Sequence, residues 1–307
     1  MRDTLDKQVK FVEFDYNKLF ASTSTIKNNF YKIWNKIIKK TDLDIIVNKD
    51  IEMENLVIYD ILDGNRSTLV SKPMINYDVE TALYTLNFIH TLKALGARNC
   101  YIMIHTSYNR ERGEKEFDHI LEKVSLGAPL IKKYAIQNNV YCSCIGMEKN
   151  YELKYLLDDI MESTKNGDFH TYFLFDYDET RFLTKGTQNI FKALPDIDVH
   201  IRHTKFQPSG GWIPSKMSHS VFLYSQNGTT YSNWESDEMV SLVALALLAK
   251  LLHRGEVLNK TYATKEEINQ LHESRELKLF NKVINLRENP KKLFMMGSPI
   301  GVYQFYY

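Results

Sequence analysis

Three short segments of this chain gather the residue types that handle a phosphorylated small molecule. In "VIYDILDGNR" a run of strand-forming residues ends in Asp63, Gly64, Asn65 and Arg66. In "HTSYNRERGE", residues 105–114, an apolar run is followed by Tyr108, Asn109, Arg110 and Arg112. In "VHIRHTKFQPSGGW", residues 199–212, Arg202 precedes a glycine pair and Trp212. Arginine forks bind diphosphate oxygens in pairs, and glycines let backbone N–H groups approach the same anion. A diphosphate therefore suits these segments, if the fold brings them to one rim. Tyr77, Tyr108 and Trp212, with Tyr177 at the end of "FLFDY", add aromatic faces of the kind that stabilise a cation in a desolvated site.

The elements that must position these residues are legible as alternating patterns. Apolar runs at "NLVIYDIL", "YIMIHT", "VYCSCIG", "TYFLFDY", "VHIRHT" and "SVFLYS" are separated, for the most part, by helical patterns at 78–95, 114–136, 151–163 and 180–192. Such alternation predicts an α/β fold with a central, mainly parallel sheet of about six strands flanked by helices. Ligands bind beyond the carboxyl ends of strands in such sheets, and each of the three segments follows a strand. His200 and His203 flank Arg202 and face opposite ways in an extended chain, which excludes a metal pair; one reads as a core histidine and the other as a rim residue.

Residues 1–50 read as an N-terminal helical extension, with Phe30, Ile33, Trp34, Ile37 and Ile38 on one stripe packed against the main domain. Residues 51–307 read as a single domain, ending after 254 in a helical C-terminal tail. The apolar segment "MVSLVALALLAKLLH", 239–253, is too short to span a bilayer and reads first as a core helix.

Composition removes other classes. With 39 basic and 38 acidic side chains and a net charge of +1, the chain offers no global field for nucleic acid. Cys100, Cys142 and Cys144 make no disulfide framework, and the N-terminus has no apolar signal core, so a soluble protein in the reducing cytoplasm is expected. The sequence contains no Gly-x-x-x-x-Gly-Lys loop, no Gly-x-Gly-x-x-Gly after a strand and no Gly-x-Ser-x-Gly elbow, which argues against nucleotide hydrolysis, nicotinamide chemistry and classical hydrolase chemistry.

Taken in order, the three segments resemble the motifs of the cis-prenyltransferases, the superfamily of undecaprenyl diphosphate synthase. "DILDGNR" resembles their Asp-Gly-Asn-x-Arg signature, "HTSYNRERGEKEFD" their Ser-Thr-Glu-Asn-Trp-x-Arg-Pro segment, and "DIDVHIRHTKFQPSGGW" their Asp-x-Leu-Ile-Arg-Thr-Ser-Gly segment. The resemblance covers about residues 55–225 and implies the cis-prenyltransferase-like fold. It makes Asp63 the aspartate that assists diphosphate departure, often through Mg2+, and matches Asn109, Arg112 and Arg202 to the polar residues of the second and third segments. It also implies a homodimer.

The departures carry information. Ser67 stands where the signature has its arginine, with Arg66 one residue early; the third segment lacks a second arginine near Pro208; and "MSHSVFLYS" lacks the usual glutamate. These losses point away from chain elongation with isopentenyl diphosphate and toward the divergent branch typified by tuberculosinol synthase, also described as tuberculosinyl adenosine transferase. That branch has Asp-Arg-Gly-Asp where this chain has Glu111-Arg112-Gly113-Glu114, and a tail like "NPKKLFMMGSPIGVYQFYY". The expected activity is ionisation of an allylic prenyl or terpenyl diphosphate of farnesyl to geranylgeranyl length or longer. Proton loss, water or a bound small nucleophile then quenches the cation. Gly64, Asn65, Arg66, Arg112 and Arg202 are the expected diphosphate ligands, Asp63 the metal ligand, and Asp63, Tyr77, Tyr108 and Asn109 the catalytic group, with Trp212 and Tyr177 lining the cation pocket. The alternatives are a prenyl condensing enzyme and a non-catalytic subunit of the same fold.

Overall fold

The computed structural model describes residues 20–41, 52–61, 77–147, 151–184, 188–203, 210–225, 236–257, 266, 282–286, 293–298 and 301–306. Its elements in chain order are α1 (Thr23–Thr41), β1 (Val57–Ile61), α2 (Tyr77–Leu95), β2 (Asn99–Met103), a 3-10 helix (Ser107–Arg112), α3 (Glu114–Gln137), β3 (Val140–Ile145) and α4 (Lys154–Thr164). There follow β4 (Phe169–Leu174), α5 (Glu179–Thr184), α6 (Gln188–Lys192), β5 (Val199–Arg202), β6 (Val221–Ser225), α7 (Ser236–Val257), β7 (Lys282–Asn285), β8 (Leu293–Ser298) and β9 (Gly301–Tyr306). The helical pattern expected over 180–192 is thus two short helices, with residues 185–187 outside the described set.

The strands form one sheet in the order β3-β4-β2-β1-β5-β6-β8-β9-β7. From β3 to β6 all neighbours are parallel, which gives the six-stranded parallel core that the sequence predicts. All five residues of β1 are buried, as a central strand covered on both faces requires. One face carries Ile58, Cys100, Ile102, Val199, Ile201 and Leu223 under α1, α2 and α7. The other carries Tyr59, Tyr101, Tyr172 and Tyr177 with Phe191, Ile213 and Met217.

Helices α1 and α7 pack against each other. In α1, Phe30, Trp34 and Ile37 are buried and Ile33 and Ile38 half-buried, and the helix packs on α2 and α7. In α7 every residue from Met239 to Lys250 is buried within the single chain, so this part of the apolar run is core. Each large apolar side chain buried there contributes about 1.5–3 kcal/mol. Among the described residues no helix is long and apolar enough to cross a membrane.

The helical tail is corrected. The described residues from 282 onward are strands: β8 runs antiparallel to both β6 and β9, and Ser298 pairs with Gly301 where the hairpin turns. The β-branched and aromatic residues of β7 and β9 suit a pleated surface, and Phe305 is wholly buried.

At the amino end of the sheet Lys250 of α7, only 4% exposed at its side chain, lies 2.8 Å from Asp198 Oδ2 and also donates to Asn55 O. Asp198 Oδ2 accepts the Val57 N–H at 2.8 Å, so one carboxylate joins α7 to the start of β1. Removing one partner of such a pair leaves the other charge uncompensated, and Lys250→Ala is expected to lower stability by about 3–5 kcal/mol, read as a fall in the urea midpoint at unchanged slope.

Candidate functional site

Successive strands run from β1 outward through β2 on one side, whereas β5 and β6 extend the sheet on the other. The order therefore reverses between β1 and β5, the switch point at which open α/β sheets bind ligands beyond their carboxyl ends. Ile61 and Arg202 are the last paired residues of those two strands. Asp63, Gly64, Asn65 and Arg66 continue the chain from Ile61 but lie outside the described residues, as does the side chain of Tyr77, the first residue of α2.

Arg202 is 5% exposed and belongs to the face of Tyr59 and His200. Its charge is felt by Tyr59, His200 and Tyr224. Burial is the largest influence on all three: it raises the two tyrosine hydroxyls, while Arg202 opposes that rise, and it depresses His200, where Arg202 acts in the same direction.

The second segment is a braced turn. Thr106 pairs with Tyr177 of the neighbouring segment, and Ser107 N donates to Tyr177 O at 3.0 Å. The Asn109 side-chain oxygen accepts from Thr106 N at 2.9 Å and from Thr106 Oγ1 at 3.1 Å, which caps the 3-10 helix. The amide oxygen of Asn109 thus shapes this turn. Arg110 is committed to structure as well: its fork donates to Asp176 at 2.8 and 3.1 Å and to Glu152 at 2.9 and 3.1 Å, above the Phe117 ring. Arg112, about half exposed, pairs with Glu116 at 3.1 Å, and Tyr108 is 44% exposed.

The third segment lies against the ends of the strands. Gly210 and Gly211 both have left-handed backbones, with φ of 73° and 79°. A Cβ on Gly211 would come within 2.8 Å of Met103 Cε and 3.0 Å of the Tyr59 hydroxyl, so glycine is required here. Tyr59 donates to Gly211 O at 2.6 Å and Tyr177 to Trp212 O at 2.7 Å. Tyr177 and Trp212 therefore meet, but through the Trp212 carbonyl: Tyr177 is 1% exposed and braces the loop, while the Trp212 ring packs on Phe222 at 5.2 Å. Gly210 sits beside Thr106 and Tyr108, so the second and third segments do converge at one rim.

Several polar residues at this end escaped the sequence reading. Glu179, at the start of α5, has its carboxyl raised by burial and by Asp178, with bonds from its own N–H and that of Gly211 opposing the rise. Its Oε2 is buried and has no hydrogen-bond partner among the described residues. Asp60, inside β1, is wholly buried; His203 Nε2 lies 2.9 Å from its Oδ1 and the Tyr84 hydroxyl donates to its Oδ2 at 3.2 Å. An acid in an otherwise apolar strand was the available signal.

The two histidines do face opposite ways, but both are buried. His200 is held among Tyr59, Trp212 and Phe222, with no partner for either ring nitrogen among the described residues, and burial drives it down to about 3. His105, bonded to the Tyr151 hydroxyl at 2.8 Å, is likewise depressed by burial, to about 4. Both are neutral in the fold yet take up a proton near pH 6.5 when unfolded, so their contribution to stability is complete above about pH 6.5 and is lost as the pH falls toward 4 and 3. Each contributes at most about 1.4 kcal/mol per pH unit in that window. His200→Phe should flatten the stability–pH slope between 6.5 and 4 by about one proton. Urea midpoints across that range test this, and an unchanged slope would refute it.

The Mg2+ expected on the resemblance falls to Asp63, outside the described residues. Among the described residues no three carboxylate, histidine or cysteine side chains come together to hold a metal, and both oxygens of Asp60 are already engaged.

No family model and no curated protein matches the sequence. Solved structures do match in shape. The structure of lavandulyl diphosphate synthase from Lavandula x intermedia in complex with dimethylallyl diphosphate aligns at a TM-score of 0.53 and 14% identity, covering 65% of this chain and 96% of that one. A probable undecaprenyl diphosphate synthase from Campylobacter jejuni aligns at 0.49 and 15%, covering 63% of this chain and 95% of its own. With its parallel six-stranded core flanked by helices, the chain has a cis-prenyltransferase-like fold.

Proposed function

We propose that this protein is an enzyme that ionises an allylic prenyl or terpenyl diphosphate at the carboxyl ends of β1 and β5. The observation that carries this reading is Arg202, a guanidinium 5% exposed at the last rung of the switch-point ladder, where the partner strand leads directly into Asp63-Gly64-Asn65-Arg66. A cation buried at a fold's ligand crevice suits an anion, and two adjacent phosphates match the residue types that follow β1. Arg66, Arg202 and, from the rim, Arg112 bind the diphosphate, with backbone N–H groups near Gly64. Charge accumulates on the leaving group as the C–O bond breaks, and groups already oriented toward it lower that barrier. Mg2+ would be held by Asp63 together with diphosphate oxygens, an arrangement common for this ion, and would neutralise leaving-group charge. The aromatic residues Tyr77, Tyr108, Tyr177 and Trp212 belong to the cation's surroundings in this proposal, and Asn109 to the positioning of the second segment.

The products are a hydrocarbon, an alcohol or a transfer product, as in the tuberculosinol branch that the sequence resembles. A homodimer and a cytoplasmic location complete the proposal. To test it, the purified chain is incubated with geranyl, farnesyl, geranylgeranyl and a bicyclic diterpenyl diphosphate, with and without isopentenyl diphosphate. Products formed without isopentenyl diphosphate support a terpene synthase or terpenyl transferase. Strict dependence on that second diphosphate makes the chain a condensing enzyme instead, and activity only with a co-purifying partner makes it a subunit.

A further inference from the structure

Gly210, Gly211 and Trp212 are held by groups from three parts of the fold. Tyr59 of β1 donates to Gly211 O at 2.6 Å, and Tyr177, just past β4, donates to Trp212 O at 2.7 Å. The Glu179 carboxyl at the start of α5 accepts the Gly211 N–H. The three held residues lie across the sheet near its carboxyl ends. A Cβ on Gly211 would come within 3.5 Å of Ile61 Cδ1 and 2.8 Å of Met103 Cε, on the last residues of β1 and β2, and one on Gly210 would lie 3.6 Å from Thr106 Cγ2. The Trp212 ring continues over β5 and β6, with its centroid 6.3 Å from that of His200 and 5.2 Å from that of Phe222. Beyond Trp212 the chain is pinned: Ile213 is buried, and its carbonyl accepts from Lys216 N and Met217 N at 2.8 and 3.1 Å.

This three-residue strap carries a cost as well. Glu179, bonded to it, has a buried Oε2 with no partner among the described residues, and His200, against the Trp212 ring, has two such ring nitrogens. Buried polar atoms left unpaired cost free energy that contact with water recovers. Two hydroxyl bonds and ring packing thus work against two unsatisfied side chains, and the glycine pair, with φ of 73° and 79°, supplies backbone freedom at one end. We propose that residues 210–212 open and close over the carboxyl ends of β1 and β2, that Tyr59 is the positioning residue that latches them, and that the latched strap keeps bulk water from the cation. This rests on the reading that the chain ionises an allylic diphosphate, and it names what decides how the cation is quenched. The C–O bond of the substrate breaks with its electron pair on the diphosphate. With the strap open, a lone pair of bulk water closes a new C–O bond at whichever end of the allylic cation it reaches, and the proton of that water leaves to solvent. With the strap latched, that side reaction is shut out. Tyr59 touches no substrate in this scheme and acts through the Gly211 carbonyl.

The test compares wild type with Tyr59→Phe, which removes the 2.6 Å bond and keeps the ring, and with Gly211→Ala, whose methyl intrudes on the same contact and leaves both hydroxyls in place. The readouts are hydrogen–deuterium exchange of the amides of residues 210–213, diphosphate released from farnesyl and geranylgeranyl diphosphates, and the ratio of the wild-type product to the mixed primary and tertiary allylic alcohols of unguided water capture. In Tyr59→Phe, exchange at 210–213 should quicken at least about tenfold while the amides of β1 and β2 keep their rates. Diphosphate release should stay within about threefold of wild type, and the product ratio should fall at least about tenfold. Gly211→Ala should move exchange and ratio the same way, and where it does not fold Tyr59→Phe decides alone. Unchanged exchange overturns the latch. Faster exchange with an unchanged ratio overturns its role in excluding water, as does a wild type that already makes the mixed alcohols. A wild type that releases no diphosphate from any allylic substrate overturns the underlying reading instead, while exchange still decides the latch.

Discussion

Asp63→Ala should abolish product from every allylic diphosphate, with a loss of at least about a thousandfold in kcat, equivalent to about 4 kcal/mol of transition-state stabilisation. Asp63 follows Ile61, the last residue of β1, by two positions in the sequence and is the one acid in the Asp-Gly-Asn-Arg stretch. Its proposed task, assisting departure of the diphosphate, matters only while charge develops on the leaving group. The loss should therefore appear mainly in kcat, with KM changed far less. Circular dichroism and the thermal midpoint of the variant should match wild type. A folded, fully active Asp63→Ala protein would sink the mechanism.

Arg202→Ala is the second large effect, expected to lower kcat/KM by about a hundredfold to a thousandfold. Its guanidinium is buried where the β1/β5 ladder ends, in surroundings where a charge acts more strongly than in water. Arg202→Lys keeps the charge and loses the fork, so it should recover part of the activity but remain about tenfold impaired. Arg110→Ala is the contrasting control. Because its fork is spent on Asp176 and Glu152, its cost should fall on stability of the 106–113 turn, with diphosphate affinity changed far less.

The parallel core was legible because each strand is a short apolar run and most are separated by a helix-period segment. The convergence of Thr106, Tyr108 and Gly210 was legible because strand ends in such sheets share a rim. The tail was misread because the short apolar and aromatic runs of "LFMMGS" and "GVYQFY", which pair with each other as β8 and β9, were not recognised as strands. The partners of Asp60 and Tyr59 could not be read from the sequence for a different reason. Those partners lie far along the chain, Tyr59 with Gly211 and Asp60 with His203, and no local spacing announces a hydrogen bond across 143 or 152 positions. Arg110 shows the converse: the sequence grouped it with the arginines at the strand ends, while two carboxylates from other elements had already claimed it.

The central claim is that the carbon–oxygen bond of an allylic diphosphate breaks at this site. Reaction in water enriched in oxygen-18, with mass analysis of both the released diphosphate and the organic product, tests it directly. Ionisation predicts that the diphosphate carries no label, that any alcohol formed carries it, and that a saturated analogue is inert. Label in the diphosphate, or equal turnover of the saturated analogue, would mean attack at phosphorus and would contradict the account.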